Sequence, residues 1–276
     1  MTLVSLTALL APARAERRGV GAMNVIQLEL AEAIVAGAEA AGRGVVLQIS
    51  ENTVAYHGAL RPIALASLAI AEASSADVCV HLDHAVSADL VQEAVALGIG
   101  SVMFDASRLE YDDNVSATAD VVRSCHAAGV SVEAELGEVG GKDGVHAPGV
   151  RTRPDEAAAY VAATGVDALA VAVGSSHAMT TRDAELDDEL IARLAEAVPV
   201  PLVLHGSSGV PDEALRAAVR AGIAKVNVGT ALGQAMTAAI RRSLDADPAL
   251  VDPRKFLAPA RDAIAGAVRH ILNVLG

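Results

Sequence analysis

Val78-Cys79-Val80-His81-Leu82-Asp83-His84 opens as an apolar run and closes on two imidazoles and a carboxylate. A run apolar on both faces reads as a strand covered on both sides, the habit of parallel sheets. Polar groups at its carboxyl end are costly to leave unpaired in such a setting. The stretch therefore points to a metal or proton-transfer site where a buried strand gives way to a loop. By the two-residue period of a strand, His81 shares a face with Asp83, one step further from the edge. His81 is expected to be a support inside the sheet and not a ligand.

Working outward from this stretch, the same switch repeats. Short β-rich runs fall at residues 21–25, 44–49, 77–82, 100–104, 130–135, 168–173, 201–204 and 223–228. Each precedes a helical pattern rich in Ala, Leu, Glu and Arg, at 27–41, 61–73, 87–97, 112–128, 153–163, 187–197, 211–221 and 231–244. Eight such units in 276 residues predict an α/β fold, the (β/α)8 TIM barrel. The expectation is one barrel domain over 1–276, with a short N-terminal helix and an extra C-terminal helix. A doubly wound sheet is the weaker alternative, because no Gly-rich dinucleotide fingerprint opens the first strand–helix unit.

Composition narrows the partners. A chain 53% hydrophobic and 20% charged can bury a large core. Its formal net charge of -13 argues against nucleic acid and anionic membranes, since phosphate backbones attract surplus Lys and Arg. A small phosphorylated molecule needs only a local nest of donors. Cys79 and Cys125 make no disulfide framework and read as buried thiols in a reducing, cytoplasmic setting. The apolar N-terminal run ends in Ala13-Arg14-Ala15, which imitates a signal-peptide cleavage site. No basic residue precedes it, and Ser5 and Thr7 interrupt it, so a short amphipathic helix is expected instead. Other apolar runs are broken well short of the ~18–20 residues of a membrane span.

In barrels of this kind the chemistry collects at the carboxyl ends of the strands. The polar residues there are Asn24, Ser50, Asp83, His84, Asp105, Glu133, Glu135, His177, His205 and Asn227. His84, His177 and His205 follow three different strands, and three imidazoles with one open position are a common catalytic zinc arrangement. Asp83 beside His84 suits a general acid/base next to a Lewis acid, with orientation of a histidine as its alternative role. Asp105 is the better candidate for that orienting task. Gly206-Ser207-Ser208-Gly209 and Asn227-Val228-Gly229-Thr230 form a candidate phosphate nest in the last two barrel loops.

These motifs run in order with Gly21-Ala22-Met23-Asn24-Val25, Leu47-Gln48-Ile49-Ser50, Ser101-Val102-Met103-Phe104-Asp105, Glu133-Ala134-Glu135-Leu136-Gly137 and Asp252-Pro253-Arg254-Lys255. The ordered set resembles the class II, zinc-dependent ketose-bisphosphate aldolases over essentially the whole chain. The resemblance implies reversible retro-aldol cleavage of a phosphorylated ketose, of the fructose or tagatose 1,6-bisphosphate type, to dihydroxyacetone phosphate and an aldehyde. It implies Zn2+ on His84, His177 and His205, polarising the ketone and stabilising the enediolate, with a monovalent cation as a further candidate ion. Asp83 would exchange the proton of the hydroxyl at the cleaved bond. Asp105 and Glu135 would orient a ligand or hold an alternative metal position. Asn24, Ser50, Gly206, Ser208, Asn227 and Thr230 would bind substrate. Ser50 and, from a neighbouring subunit, Arg254 would take the far phosphate, which implies a homodimer or homotetramer. The N-terminal helix would close the barrel floor.

The chain also departs from the family pattern. Ala178 and Ser207 stand where glycines are usual, as do Ala85 and Ala106, and side chains at the first two positions are expected to crowd the phosphate nest. The loop at 138–152 is short and reads Gly140-Gly141-Lys142-Asp143-Gly144, with Asp143 in place of the glutamate that moves the carbanion proton. Asp143 is accordingly the second catalytic candidate. These loops leave room for an atypical monophosphate or deoxy-sugar phosphate. A barrel that binds a sugar phosphate without efficient turnover is the competing reading of another class. An aldolase of 2-keto acids would be expected to use carboxylate ligands and a hard cation.

Overall fold

The structure is a computed structural model that describes residues 2–136, 151–176 and 179–276. Parallel strands β1 (Val20–Asn24), β2 (Val45–Ser50), β3 (Val78–Ala85), β4 (Ser101–Phe104), β5 (Ser131–Leu136), β6 (Ala168–Val171), β7 (Leu202–Leu204) and β8 (Ile223–Val228) close into a barrel in chain order. The pairing of β1 with β8 completes the ring and excludes the doubly wound sheet. Between and around the strands run α1 (Leu6–Ala15), α2 (Leu28–Ala41), α3 (Glu51–His57), α4 (Arg61–Ala73), α5 (Ala88–Ala96) and α6 (Tyr111–Ala127). They are followed by α7 (Pro154–Thr164), α8 (Asp188–Ala197), α9 (Asp212–Ala221), α10 (Thr230–Ala246) and α11 (Pro253–Val274). Among the described residues no single helix is long and apolar enough to cross a membrane.

The strand period sorts side chains into two layers. Met23, Val45, Leu47, Val78, Val80, Val102, Leu169 and Leu202 pack outward in one core with helix residues such as Ile34, Ala64 and Ile264. Their neighbours Ala22, Val46, Cys79, Met103, Ala168, Ala170 and Val203 face a second core inside the ring. Leu6, Leu9, Leu10 and Ala13 of α1 join that inner core. The apolar N-terminal run is thus the barrel floor, in a helix capped by Ser5 Oγ, which accepts from Ala8 N at 3.2 Å. Leu10 is 1% exposed, so Leu10→Ala is expected to destabilise the protein by about 2–5 kcal/mol. A denaturant titration read by circular dichroism checks this; a midpoint equal to wild type would mean that the floor collapses around the gap.

Two local features differ from the expectation. The sequence pattern ends the third strand at residue 82, whereas β3 continues to Ala85. It does so across a register shift against β4 between Leu82 and Ala85. Past the shift the ladder resumes, with Asp105 N donating to the Ala85 carbonyl at 2.8 Å. The other difference is α3, too short to carry an apolar period. It is set by its ends, Ser50 Oγ accepting from Thr53 N at 3.2 Å and Gly58 closing the helix with φ 76°.

Candidate active site

Above the floor the inward-facing positions turn polar. On β2 the parity of Val46 continues through Gln48 and Ser50, which lie level with His81 and Asp83 of β3. Glu133 of β5 is level with Met103, and Lys225 of β8 with Val203. Period-two folding alone therefore brings Gln48, His81, Asp83, Glu133, Glu135, Lys225 and Asn227 into one interior, and all seven are buried.

His84 breaks the period. Strict alternation would turn it away from Asp83, yet its backbone lies in the left-handed region at φ 51°, within the β3–β4 register shift. That conformation costs a non-glycine residue about 1–3 kcal/mol and is found where function holds it in place. The kink swings the imidazole back beside Asp83, and His84 Nδ1 lies 3.0 Å from Asp105 Oδ2. Its Nε2 is 4.0 Å from Asp83 Oδ2. The His84 ring meets that of His205 edge to face, with centroids 4.6 Å apart.

His205 is fully buried at the end of β7. Its Nε2 is 3.0 Å from Glu133 Oε1, and its Nδ1 is 3.5 Å from Glu135 Oε2. Asp83, His84 and His205 each offer one ligand atom, all within 4.8 Å of one another, and His84, Asp105 and Glu135 do the same. An imidazole–carboxylate set of this kind suits a divalent transition metal, and carboxylates behind the two histidines are the usual means of fixing ligand rings. The residues present fit a metal. His177, the third expected ligand, lies outside the described residues, as do Asp143 and Ala178.

His81 lies beneath this set, with Nδ1 2.8 Å from Ser101 Oγ. Burial first, then the nearby Lys225 charge, push its pKa well below the usual histidine range. His81 is fully buried, in the interior position that strand parity gives it.

Loops seven and eight form the opposite wall. Gly206 takes φ 67° and leads into a single 3-10 turn, Ser207–Gly209. The Ser207 hydroxyl donates to the Asn227 carbonyl, so the side chain expected to crowd the nest ties the β7 loop to β8. Ser208 Oγ accepts from Ala231 N at 3.2 Å, placing the first turn of α10 beside this loop. At Gly229 a Cβ would come 3.1 Å from Asn24 Nδ2, so glycine there leaves room for the Asn24 side chain. Ala85 and Ala106 lie outside the left-handed region, so their backbone conformation does not call for glycine.

A cavity of about 860 Å³ opens over this floor. Asn24, Ser50, Asp83, His84, Asp105, Gly206, Ser208, Asn227 and Thr230, all expected from the sequence, line it. Arg254 does not: it sits in the first turn of α11, 89% exposed, paired with Asp252 at 2.9 Å. Gln48 and Arg108 line the cavity as well, and neither was expected. Gln48, which donates to Asn24 Oδ1, was detectable as a polar residue inside an apolar strand at the parity of Ser50. Arg108 lies in a loop, where no period marks it.

A family profile described as Fructose-bisphosphate aldolase class-II matches residues 4–276. The chain belongs to the class II fructose-bisphosphate aldolase family. The fructose-bisphosphate aldolase of Thermus caldophilus is 38% identical over 301 residues, covering 99% of this chain and 98% of the relative. That of Geobacillus stearothermophilus is 39% identical over 272 residues, covering 97% and 95%. Among solved structures, the YdjI aldolase from Escherichia coli K12 superimposes with a TM-score of 0.88 at 28% identity, covering 99% of this chain and 97% of that one. This class II aldolase is therefore a lyase acting on a carbon–carbon bond, from a family that works with a divalent metal. Membership also sets aside the 2-keto-acid reading.

Proposed function

We propose that this aldolase is zinc-dependent and cleaves a ketose 1,6-bisphosphate of the fructose or tagatose type, reversibly, to dihydroxyacetone phosphate and an aldehyde. The observation that carries this reading is the cluster of Asp83, His84 and His205, with ligand atoms within 4.8 Å of one another, of which Asp83 and His84 line a cavity walled by Gly206, Ser208, Asn227 and Thr230 while His205 lies buried behind them. The names of the Thermus and Geobacillus relatives support the substrate class.

His84 and His205, with His177, would hold Zn2+, and the ion when bound polarises the ketone oxygen. Asp83 accepts the proton of the hydroxyl on the carbon that leaves as aldehyde. The O–H electrons become the new carbonyl bond while the C–C pair stays with the ketone fragment. Asn227 Nδ2, 3.4 Å from Asp83 Oδ1, holds the carboxylate on the cavity side of the barrel. Asp143 is assigned the proton that the ketone fragment then takes up. Backbone N–H groups around Gly206, Ser208 and Thr230 suit the phosphate of that fragment, at the N-terminus of α10. Asn24 and Ser50 line the remaining wall. Arg254, exposed on its own chain, is assigned to the far phosphate of a neighbouring copy, in a homodimer or homotetramer of single-domain subunits. A cytoplasmic setting and a monovalent cation complete the proposal.

Removal of metal by a chelator is expected to abolish cleavage of both bisphosphates in a coupled assay, and Zn2+ to restore it. Cleavage that persists without metal would sink the proposal. Arg108 is the cationic side chain among the described residues that line the cavity, alongside Glu51, Asp83 and Asp105. Arg108→Ala is expected to raise KM for the bisphosphate by about 10–100-fold, the worth of a charged hydrogen bond, and to change KM for a ketose monophosphate far less. Equal changes for the two would remove Arg108 from recognition of the second phosphate.

A further inference from the structure

Beneath the site lies an ion pair that the cleavage steps do not use. Lys225 of β8 and Glu133 of β5 are both fully buried, with Nζ 2.7 Å from Oε2. A lysine inside an apolar barrel is costly unless its charge is paired, and the strand around it, Ile223-Ala224-Lys225-Val226, offers no polar reason for its presence. Its partner carboxylate has a second contact, the other oxygen Oε1 lying 3.0 Å from His205 Nε2. Lys225, Glu133 and His205 thus form one chain that ends at the metal-site floor. His81, whose Nε2 is 4.0 Å from both Glu133 Oε2 and Asp83 Oδ1, packs against its side.

We propose that the Lys225–Glu133 pair sets the ring tautomer of His205, so that Nδ1 presents its lone pair to the metal position. The inference rests on the metal-site reading above. Histidine has two ring nitrogens, and the proton goes to the one that faces an acceptor. Lys225 can only donate, so it occupies Oε2 and leaves Oε1 as an acceptor for Nε2–H. The proton is thereby held on Nε2, at the closer of the two carboxylates, and Nδ1, 3.5 Å from Glu135 Oε2, is the nitrogen that can act as a ligand. Both residues act through His205 and are positioning residues.

The amide isostere makes the idea testable. In Glu133→Gln, Lys225 still demands the one remaining acceptor oxygen. The amide NH2 then points at His205 Nε2, which must accept and sends the ring proton to Nδ1. Removing Lys225 as well frees the amide to flip and offer its oxygen to Nε2–H, which restores the original tautomer. Co2+ and Zn2+ affinities of the apo full-length protein, measured by chelator competition with the Co2+ visible spectrum as a second readout, follow this directly. E133Q is expected to bind metal about 10–100-fold more weakly than wild type. The double variant E133Q/K225M is expected to recover to within about tenfold of wild type, with a wild-type Co2+ spectrum.

A purely structural role predicts the opposite order, with each lost partner adding to the damage. Wild-type affinity in E133Q, or weaker binding in the double variant than in E133Q, would overturn the inference. Should E133Q fail to fold, the double variant decides alone, because it buries no unpaired charge: strong binding with the wild-type spectrum supports the proposal and lost binding overturns it. Wild-type protein that takes up no metal would instead sink the metal-site reading and this inference with it.

Discussion

Asp83→Asn is expected to lower turnover of the bisphosphate by about 10²–10⁴-fold, the usual range for a lost general acid/base. Metal content and KM should stay near wild type. The carboxylate is 2% exposed and held between three groups: Asn227 Nδ2 at 3.4 Å, and the Nε2 atoms of His81 and His84 at 4.0 Å each. Asparagine fills the same space and keeps the contact with Asn227, yet cannot take a proton at neutral pH. The variant therefore separates chemistry from packing. Steady-state kinetics on the Zn2+-loaded protein, with metal analysis of the same sample, provides the check. Turnover within a few-fold of wild type would make Asp83 an orienting carboxylate. Intact folding with lost metal would move it into the ligand set, which its distance to the two histidines also permits.

Much of this site is legible in the sequence because barrel topology is a rule about strand ends. Asn24, Ser50, Asp83, Asp105, His205 and Asn227 each terminate or directly follow an apolar run, and closure of β1 on β8 brings them onto one rim. Parity within a strand reaches one layer deeper. It places His81 inside beside Asp83, and applied to β8 it would also have exposed Lys225, two residues before Asn227 and so on the same face. What parity cannot supply is local backbone conformation. No pattern marks His84 as a left-handed residue, and on strict alternation it would leave the site; the register shift that rescues it is a property of β3 and β4 paired together. α3 is similarly invisible to periodicity, since it is held by a serine at one end and a glycine at the other. The consequence of Ser207 depended on a partner twenty positions away, the Asn227 carbonyl that receives its hydroxyl. Arg254 is a limit of another kind, because its assigned role belongs to an assembly and a single chain leaves it pointing outward.

The strained histidine leads to an expected trade of activity against stability. His84→Asn should reduce metal uptake and lower turnover by about 10³-fold or more, since the ion supplies several kcal/mol of transition-state stabilisation and each ~1.4 kcal/mol is a tenfold change in rate. Asparagine tolerates the left-handed region better than any other residue except glycine. The backbone at φ 51° is thereby relieved, by an amount on the order of 1 kcal/mol. Against this stand the lost contact between His84 Nδ1 and Asp105 Oδ2 at 3.0 Å and the edge-to-face packing on His205. Asp105 keeps its other bonds, with Oδ1 accepting from Ser107 N and Oγ at 3.2 and 2.6 Å, so its charge is not stranded. Strain relief should then balance or exceed the loss, and the apo variant is expected to melt within about 2 °C of apo wild type or above it. Melting curves of both apo proteins decide the matter. A fall of several degrees would mean that the imidazole is kept in place by contacts worth more than the strain it bears, and that β3 adopts its kink for the sake of the fold as well as for the metal.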